Sequence, residues 1–175
     1  MGINLNKVDF VVALAGNPNV GKSTVFNALT GLNQHTGNWP GKTVAKAEGT
    51  FERRKRVYRI IDLPGTYSMN ASSPEETIAR DYLISSGPDV VVVVVDAANL
   101  ERNLYLTVQV LEMGKPTVIA LNMADAAESQ GIDIDADALA KSLSVPVVRT
   151  VGRKGEGLDQ LIETVRLALP VEARR

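Results

Sequence analysis

An α/β fold, with helices on both faces of a mostly parallel six-stranded sheet, is predicted by three observations. Short β-branched runs alternate with stretches of helical periodicity along the chain. One run, Val90 to Val95, is six consecutive valines between Asp89 and Asp96, the pattern of a central parallel strand buried on both faces. It is far short of the ~20 apolar residues a membrane-spanning helix needs. Third, motifs rich in Gly, Asn and Asp follow several of the runs directly, where doubly wound sheets bind ligands, at the carboxyl ends of strands. At 175 residues, 45% of them apolar, the chain is long enough for one domain with a sizeable core.

The first strand is read over 10–15 and runs into Gly16-Asn17-Pro18-Asn19-Val20-Gly21-Lys22-Ser23. This is G-x-x-x-x-G-K-S, a P-loop in its proper setting before a helix, here expected over 22–31 with Thr24 in its first turn. Glycines let successive backbone N–H groups curl around a phosphate at the positive end of a helix. Lys22 adds a charge toward the β- and γ-phosphates, and the Ser23 hydroxyl can ligate Mg²⁺. A loop over 32–43 leads to strands at 44–51 and 57–62, with the basic run Arg53-Arg54-Lys55-Arg56 at the turn between them, read as a solvated hairpin tip ahead of a docking patch.

The second of these strands ends in Asp62-Leu63-Pro64-Gly65, a D-x-x-G in which the Asp can hold Mg²⁺ through water and the Gly N–H can meet the γ-phosphate. After a loop over 63–74 come helix 75–85, strand 89–95, helix 100–113 and strand 117–121. That strand ends in Asn122-Met123-Ala124-Asp125, an N-x-x-D suited to guanine, because one carboxylate accepts from N1–H and the 2-amino group together. Adenine offers neither donor there, and an unpaired buried carboxylate is costly, so Asp125 selects GTP over ATP. Helix 133–143 and strand 146–149 then deliver Thr150-Val151-Gly152 to the base. Helix 157–169 closes the domain, with Leu158, Leu161, Ile162, Val165 and Leu169 at the spacing of a core face.

Composition narrows the chemistry further. Zero cysteines exclude disulfides and thiolate catalysis, and a net charge of −1 gives no electrostatic footprint for nucleic acid. The one histidine, His35, falls in the loop at 32–43, where an exposed polar residue is the better reading, and a lone His does not make a transition-metal site. No signal-peptide pattern, repeat or low-complexity segment is read, so this piece is expected to be soluble and to face the cytosol.

The segment Asn38-Trp39-Pro40-Gly41-Lys42-Thr43, with the P-loop and Asp62-Leu63-Pro64-Gly65-Thr66-Tyr67-Ser68, closely resembles the GTPase domain of the bacterial ferrous iron transporter B (FeoB) family, over about residues 8–170. The resemblance implies a Ras-like P-loop G domain over 1–170 with a tail at 171–175, hydrolysing GTP to GDP and phosphate. It further implies a helical linker domain and a membrane-embedded iron-permease domain in the full-length protein, which puts this domain on the cytoplasmic face of the cell membrane.

Position by position, the resemblance makes Gly16 to Thr24, with Gly41, the phosphate cradle. Ser23, Thr43 and Asp62 become the Mg²⁺ residues, and Asn122, Met123, Asp125, Thr150, Val151 and Gly152 the guanine site. The residues expected to act in hydrolysis are Asn19, Lys22, Thr43 and Gly65. Thr66 stands where Ras-like GTPases place a water-orienting Gln, and its hydroxyl is too short for that geometry. Asn19 matches the asparagine that coordinates K⁺ in cation-activated relatives, where the ion offsets charge as an arginine finger does elsewhere. Val151-Gly152 departs from the Ser-Ala often found in the family, which points to modest guanine affinity and fast release. Two alternatives stay open at this point: a ribosome- or tRNA-associated GTPase, which normally carries a basic appendage not encoded here, and a guanine-nucleotide sensor that scarcely hydrolyses. Oligomeric state is left open.

Overall fold

Strand β1 (Phe10–Gly16) pairs in parallel with β4 (Arg56–Asp62) on one side and β5 (Val90–Asp96) on the other. The parallel set continues through β6 (Thr117–Asn122) to β7 (Val147–Arg149). Beyond β4 the direction reverses: β3 (Ala45–Arg53) and β2 (Gln34–Asn38) add antiparallel strands, giving seven in the order β2-β3-β4-β1-β5-β6-β7. The computed structural model describes residues 7–171, so the first six residues of the domain expected over 1–170, and all but Val171 of the tail, lie outside the described residues.

The seventh strand corrects the expectation of six. β2 occupies part of the stretch read as a loop over 32–43, and the reason is physical. Gln34-His35-Thr36-Gly37-Asn38 is an edge strand whose side chains are exposed or nearly so, and it is held by backbone pairing to β3 rather than by an apolar face. His35 is exposed there, as expected.

Among the described residues six α-helices flank the sheet: α1 (Lys22–Thr30), α2 (Pro74–Asp81), α3 (Leu100–Glu112), α4 (Ala124–Ser129), α5 (Ala136–Leu143) and α6 (Leu158–Ala168). The Ser73 hydroxyl caps α2 by accepting from the Glu76 N–H at 3.1 Å, with Pro74 in the first turn, and a π-helical turn over Tyr82–Ser86 extends it. The short α4 was not expected; it fills the gap between β6 and the helix read over 133–143.

Because successive strand residues face opposite sides, the valine strand divides between two cores. Val90, Val92 and Val94 pack with α1 and α6 through Val25, Leu161 and Val165. Val91, Val93 and Val95 pack with α2 and α3 through Ile78, Leu106 and Val110. All five positions named from their spacing, four on α6 and Leu169 just past its end, are buried.

The β3–β4 turn passes through left-handed backbone at Arg54 and Lys55 (φ 51° and 62°). The basic run is the expected hairpin tip, and it is also tied down: Arg53 meets Asp159 at 3.2 Å and Arg54 meets Glu163 at 2.8 Å, both on α6. Arg54 and then Arg166 hold the Glu163 carboxyl at about 2, well under its usual 4.5.

Candidate nucleotide site

The register of the parallel strands brings their carboxyl ends to one rim. Leu14 lies opposite Asp62, Gly16 opposite Val94, and Asp96 opposite Asn122. Among the loops that leave this rim, those after β1, β4, β6 and β7 enclose two cavities.

The first cavity, about 410 Å³, is lined by Asn17, Pro18, Asn19, Gly21, Lys22, Ser23, Thr24 and Gly65. Lys22 is buried, and its ammonium donates to an Asp62 carboxylate oxygen and, at 2.6 Å, to the Leu63 carbonyl. The D-x-x-G segment and the P-loop lysine are thus one cluster. Asn17 is buried with its Oδ1 unpartnered. Asn19 sits in left-handed backbone (φ 65°), exposed, and its side chain makes no hydrogen bond among the described residues. Ser23 and Thr24 are likewise exposed on the first turn of α1.

Oxygen donors of this kind suit hard cations beside a phosphate: an exposed hydroxyl, an aspartate, and two asparagine amides, one of them buried without a partner. Among the described residues no three His, Asp or Glu side chains gather into a metal site, so a metal here would lean on hydroxyl and phosphate oxygens. Thr66 does not face the cavity. It is 3% exposed, its hydroxyl is buried without a partner, and its N–H donates to the Gly16 carbonyl at 3.1 Å.

The structure does not bring Gly41 and Thr43 to this cavity. Both are exposed in the turn between β2 and β3, where the Lys42 N–H bonds the Trp39 carbonyl at 2.9 Å. The root of that turn is pinned by Trp39, buried edge-on against Tyr82 at 5.5 Å with the Lys46 ammonium 5.1 Å from its ring centre.

The second cavity, about 290 Å³, is lined by Gly21, Thr24, Asn122, Met123, Asp125, Ala126, Val151, Gly152 and Arg153. Its hub is Asn122, 2% exposed. The Asn122 Nδ2 donates to the Val20 carbonyl at 2.9 Å, while its Oδ1 accepts from the Thr150 hydroxyl and the Gly152 N–H, each at 3.0 Å. Asn122 therefore serves the site by tying the P-loop to the loop after β7. Gly21 makes room for it: in its left-handed backbone (φ 82°), an added Cβ would stand 2.4 Å from the Asn122 Nδ2.

Met123 adopts left-handed backbone (φ 58°) and turns the chain into α4, which aims the Asp125 side chain at the cavity. One Asp125 oxygen accepts from the Ala126 N–H at 3.0 Å. The other accepts from Arg153 Nη2 at 2.5 Å, with the Lys154 ammonium 3.5 Å away. The Arg153 hydrogen bond is the main reason the Asp125 carboxyl titrates below its usual range. Arg153 and Lys154 escaped the sequence reading, which stopped one residue short at Gly152; a basic pair directly after the base loop is the signal that could have found them.

Known proteins resemble this chain in both sequence and fold. The sequence profile described as Ferrous iron transport protein B matches residues 10–165. A Porphyromonas gingivalis Fe(2+) transport protein A/Fe(2+) transporter FeoB fusion protein is 52% identical over 155 residues, covering 88% of this chain and 18% of its own length. Among solved structures, a mutant of S. thermophilus NFeoB bound to GDP superposes with TM-score 0.87 at 49% identity, covering 91% of this chain and 63% of that one. The cytosolic domain of the T. maritima FeoB iron transporter in its GMPPNP form gives TM-score 0.87 at 49% identity, covering 89% and 62%. The chain spans about a fifth of the length of the curated relatives it matches (18% and 20%).

Proposed function

The chain belongs to the ferrous iron transport protein B family as its N-terminal G domain, and from that premise we propose that it binds GTP and GDP with Mg²⁺, hydrolyses GTP slowly with stimulation by K⁺, and regulates a ferrous iron transporter from the cytoplasmic face of the membrane. The observation that carries this reading is the pair of adjoining cavities, one walled by P-loop amides and Lys22, the other by Asp125, with Gly21 and Thr24 shared between them. Phosphates and a purine joined by a ribose need such a pair. The GDP-bound and GMPPNP forms of the two structural relatives support the same ligand class. The family match over 10–165 speaks against the RNA-associated alternative.

In this reading Lys22 leaves its contact with Asp62 to meet the phosphates. Ser23, Thr43 and Asp62 are the residues that would hold Mg²⁺, Thr43 by closure of the β2–β3 turn over the triphosphate. The ion would supply charge to the phosphate oxygens. Asn19, whose amide is unengaged among the described residues, would hold K⁺, which would offset charge on the phosphates. The wider transporter role places iron passage in a membrane part beyond a helical linker; no described helix of this chain is long and apolar enough to cross a membrane.

Turnover in KCl and NaCl at equal ionic strength tests the reading. Loss of one electrostatic contact to the transition state costs on the order of 10²–10³ in rate, so hydrolysis is expected to be clearly faster in KCl. Asn19→Ala should erase the difference while GTP still binds. Equal rates in the two salts would remove the potassium role, and measurable GTP binding without turnover would establish the sensor alternative.

A further inference from the structure

We infer that Arg153 is a built-in competitor for the guanine edge, occupying the Asp125 carboxylate until the base displaces it, and so sets the rate at which guanine nucleotide leaves. The inference rests on the guanine-site reading above and deepens it. A guanidinium and the N1–C2–N2 edge of guanine are the same chemical object, a planar N–C–N fork of N–H donors. Arg153 already places one arm of that fork on Asp125, at 2.5 Å, from the wall of the cavity the base would enter.

Both oxygens of the carboxylate are engaged while this contact lasts. One oxygen takes the Ala126 N–H, and the other takes Arg153 with Lys154 close by at 3.5 Å. Guanine reaches for both oxygens from the cavity side, N1–H to one and the 2-amino group to the other, and an Arg153 arm standing on that cavity's wall with its N–H on one of them competes for the same approach. Nothing else in the loop has to move. The backbone is anchored by the Gly152 N–H on Asn122, the Val151 N–H on the Glu156 carbonyl at 3.1 Å and the Lys154 N–H on the Val151 carbonyl at 2.9 Å. The Arg153 side chain is 72% exposed and can swing into solvent, whereas the Asp125 side chain is 20% exposed and fixed on α4. The arrangement is a stationary acceptor with a mobile donor, as a displaceable plug requires.

Solvent limits the effect. Ion pairs with an exposed partner are worth little, so removing the competitor should slow GDP release about two- to fivefold. Hypoxanthine separates this role from general support of the loop. Inosine diphosphate lacks the 2-amino group and needs only one carboxylate oxygen, leaving the other to Arg153.

The test is stopped-flow release of fluorescently labelled GDP and IDP from the chain and its Arg153→Ala and Arg153→Lys variants. Arg153→Ala is expected to slow GDP release, leave IDP release nearly unchanged, and lose its advantage as KCl rises from about 0.1 M to about 1 M, where the Debye length shrinks from ~10 to ~3 Å. Arg153→Lys, with a charge but no fork, should fall between. Unchanged or faster GDP release in Arg153→Ala would overturn the inference, and so would equal slowing of GDP and IDP. A parent chain that prefers GDP to ADP while failing these tests loses only the inference; a parent with no such preference loses the guanine site as well.

Discussion

Replacing Asn122 with alanine should unfasten the site and much of the domain with it. The change deletes three hydrogen bonds at once and leaves the Val20 carbonyl and the Gly152 N–H in a buried corner without their partner. An orphaned buried backbone group costs about 1–3 kcal/mol, and the lost bond to Thr150 adds about 1 kcal/mol, so after partial relaxation the loss should reach about 3–5 kcal/mol. Domains of this kind have only about 5–15 kcal/mol in total. Urea unfolding followed by circular dichroism measures it directly: at a slope near 2 kcal/mol/M the midpoint should fall by about 1.5–2.5 M with the slope unchanged. Guanine nucleotide affinity should drop in parallel, while the preference for guanine over adenine survives, because the proposed function assigns that preference to Asp125. A midpoint shift below about 0.3 M, with lost affinity, would refute the bracing role and mean that Asn122 acts on the base itself.

Two further outcomes follow from the same structure. Gly21→Ala should reproduce the Asn122 phenotype, since its Cβ would stand 2.4 Å from the Asn122 Nδ2 in backbone of φ 82°; a shift in the urea midpoint well short of that for Asn122→Ala would show that the brace can yield. Glu163→Gln should flatten the acid limb of the stability profile. The folded carboxyl is depressed to about 2 from 4.5, so its contribution is present above pH 4.5 and lost as pH falls toward 2. Parent and variant midpoints should differ at neutral pH and converge near pH 2 in 50 mM-class buffers, and parallel profiles over that range would show that the hairpin–α6 pairs carry no stability.

The parts of this molecule legible in its sequence were those written in side-chain chemistry. The valine strand, the apolar stripe of α6 and the motifs after β1, β4 and β6 carry their information in residue type and spacing, and each stands where those predict. β2 was hidden because its order comes from backbone pairing with β3, which polar residues such as Gln34 and Asn38 do not advertise. α4 was hidden by its length, since Ala124–Ser129 is too short to show a helical period. In the candidate site, the N-x-x-D spacing put Asn122 and Asp125 together, and both line one cavity, yet which partner each side chain takes is a matter of three-dimensional approach. Asn122 faces three protein groups, and Arg153 reaches Asp125 from another loop, contacts that span 28 residues or more and leave no local pattern.

The central place of β1 bears on how the chain is made. Val12 sits between Ile60 and Val90, so the strand that carries the phosphate loop is synthesised early and seated late, after two distant partners have arrived. Pairings so remote must close long loops before they are rewarded, which makes parallel sheets slow to form and leaves β-prone segments uncovered meanwhile. The six valines of β5 are the most adhesive of these, and an aspartate stands guard at each end. Neither guard is idle in the finished protein: Asp89 accepts the Val11 N–H at 2.7 Å at the start of β1, and Asp96 accepts the Ala98 N–H at 2.8 Å where the chain turns into α3. The charges that flank the apolar run thus serve twice, Asp89 fastening the strand beside β1 and Asp96 shaping the turn that leaves it.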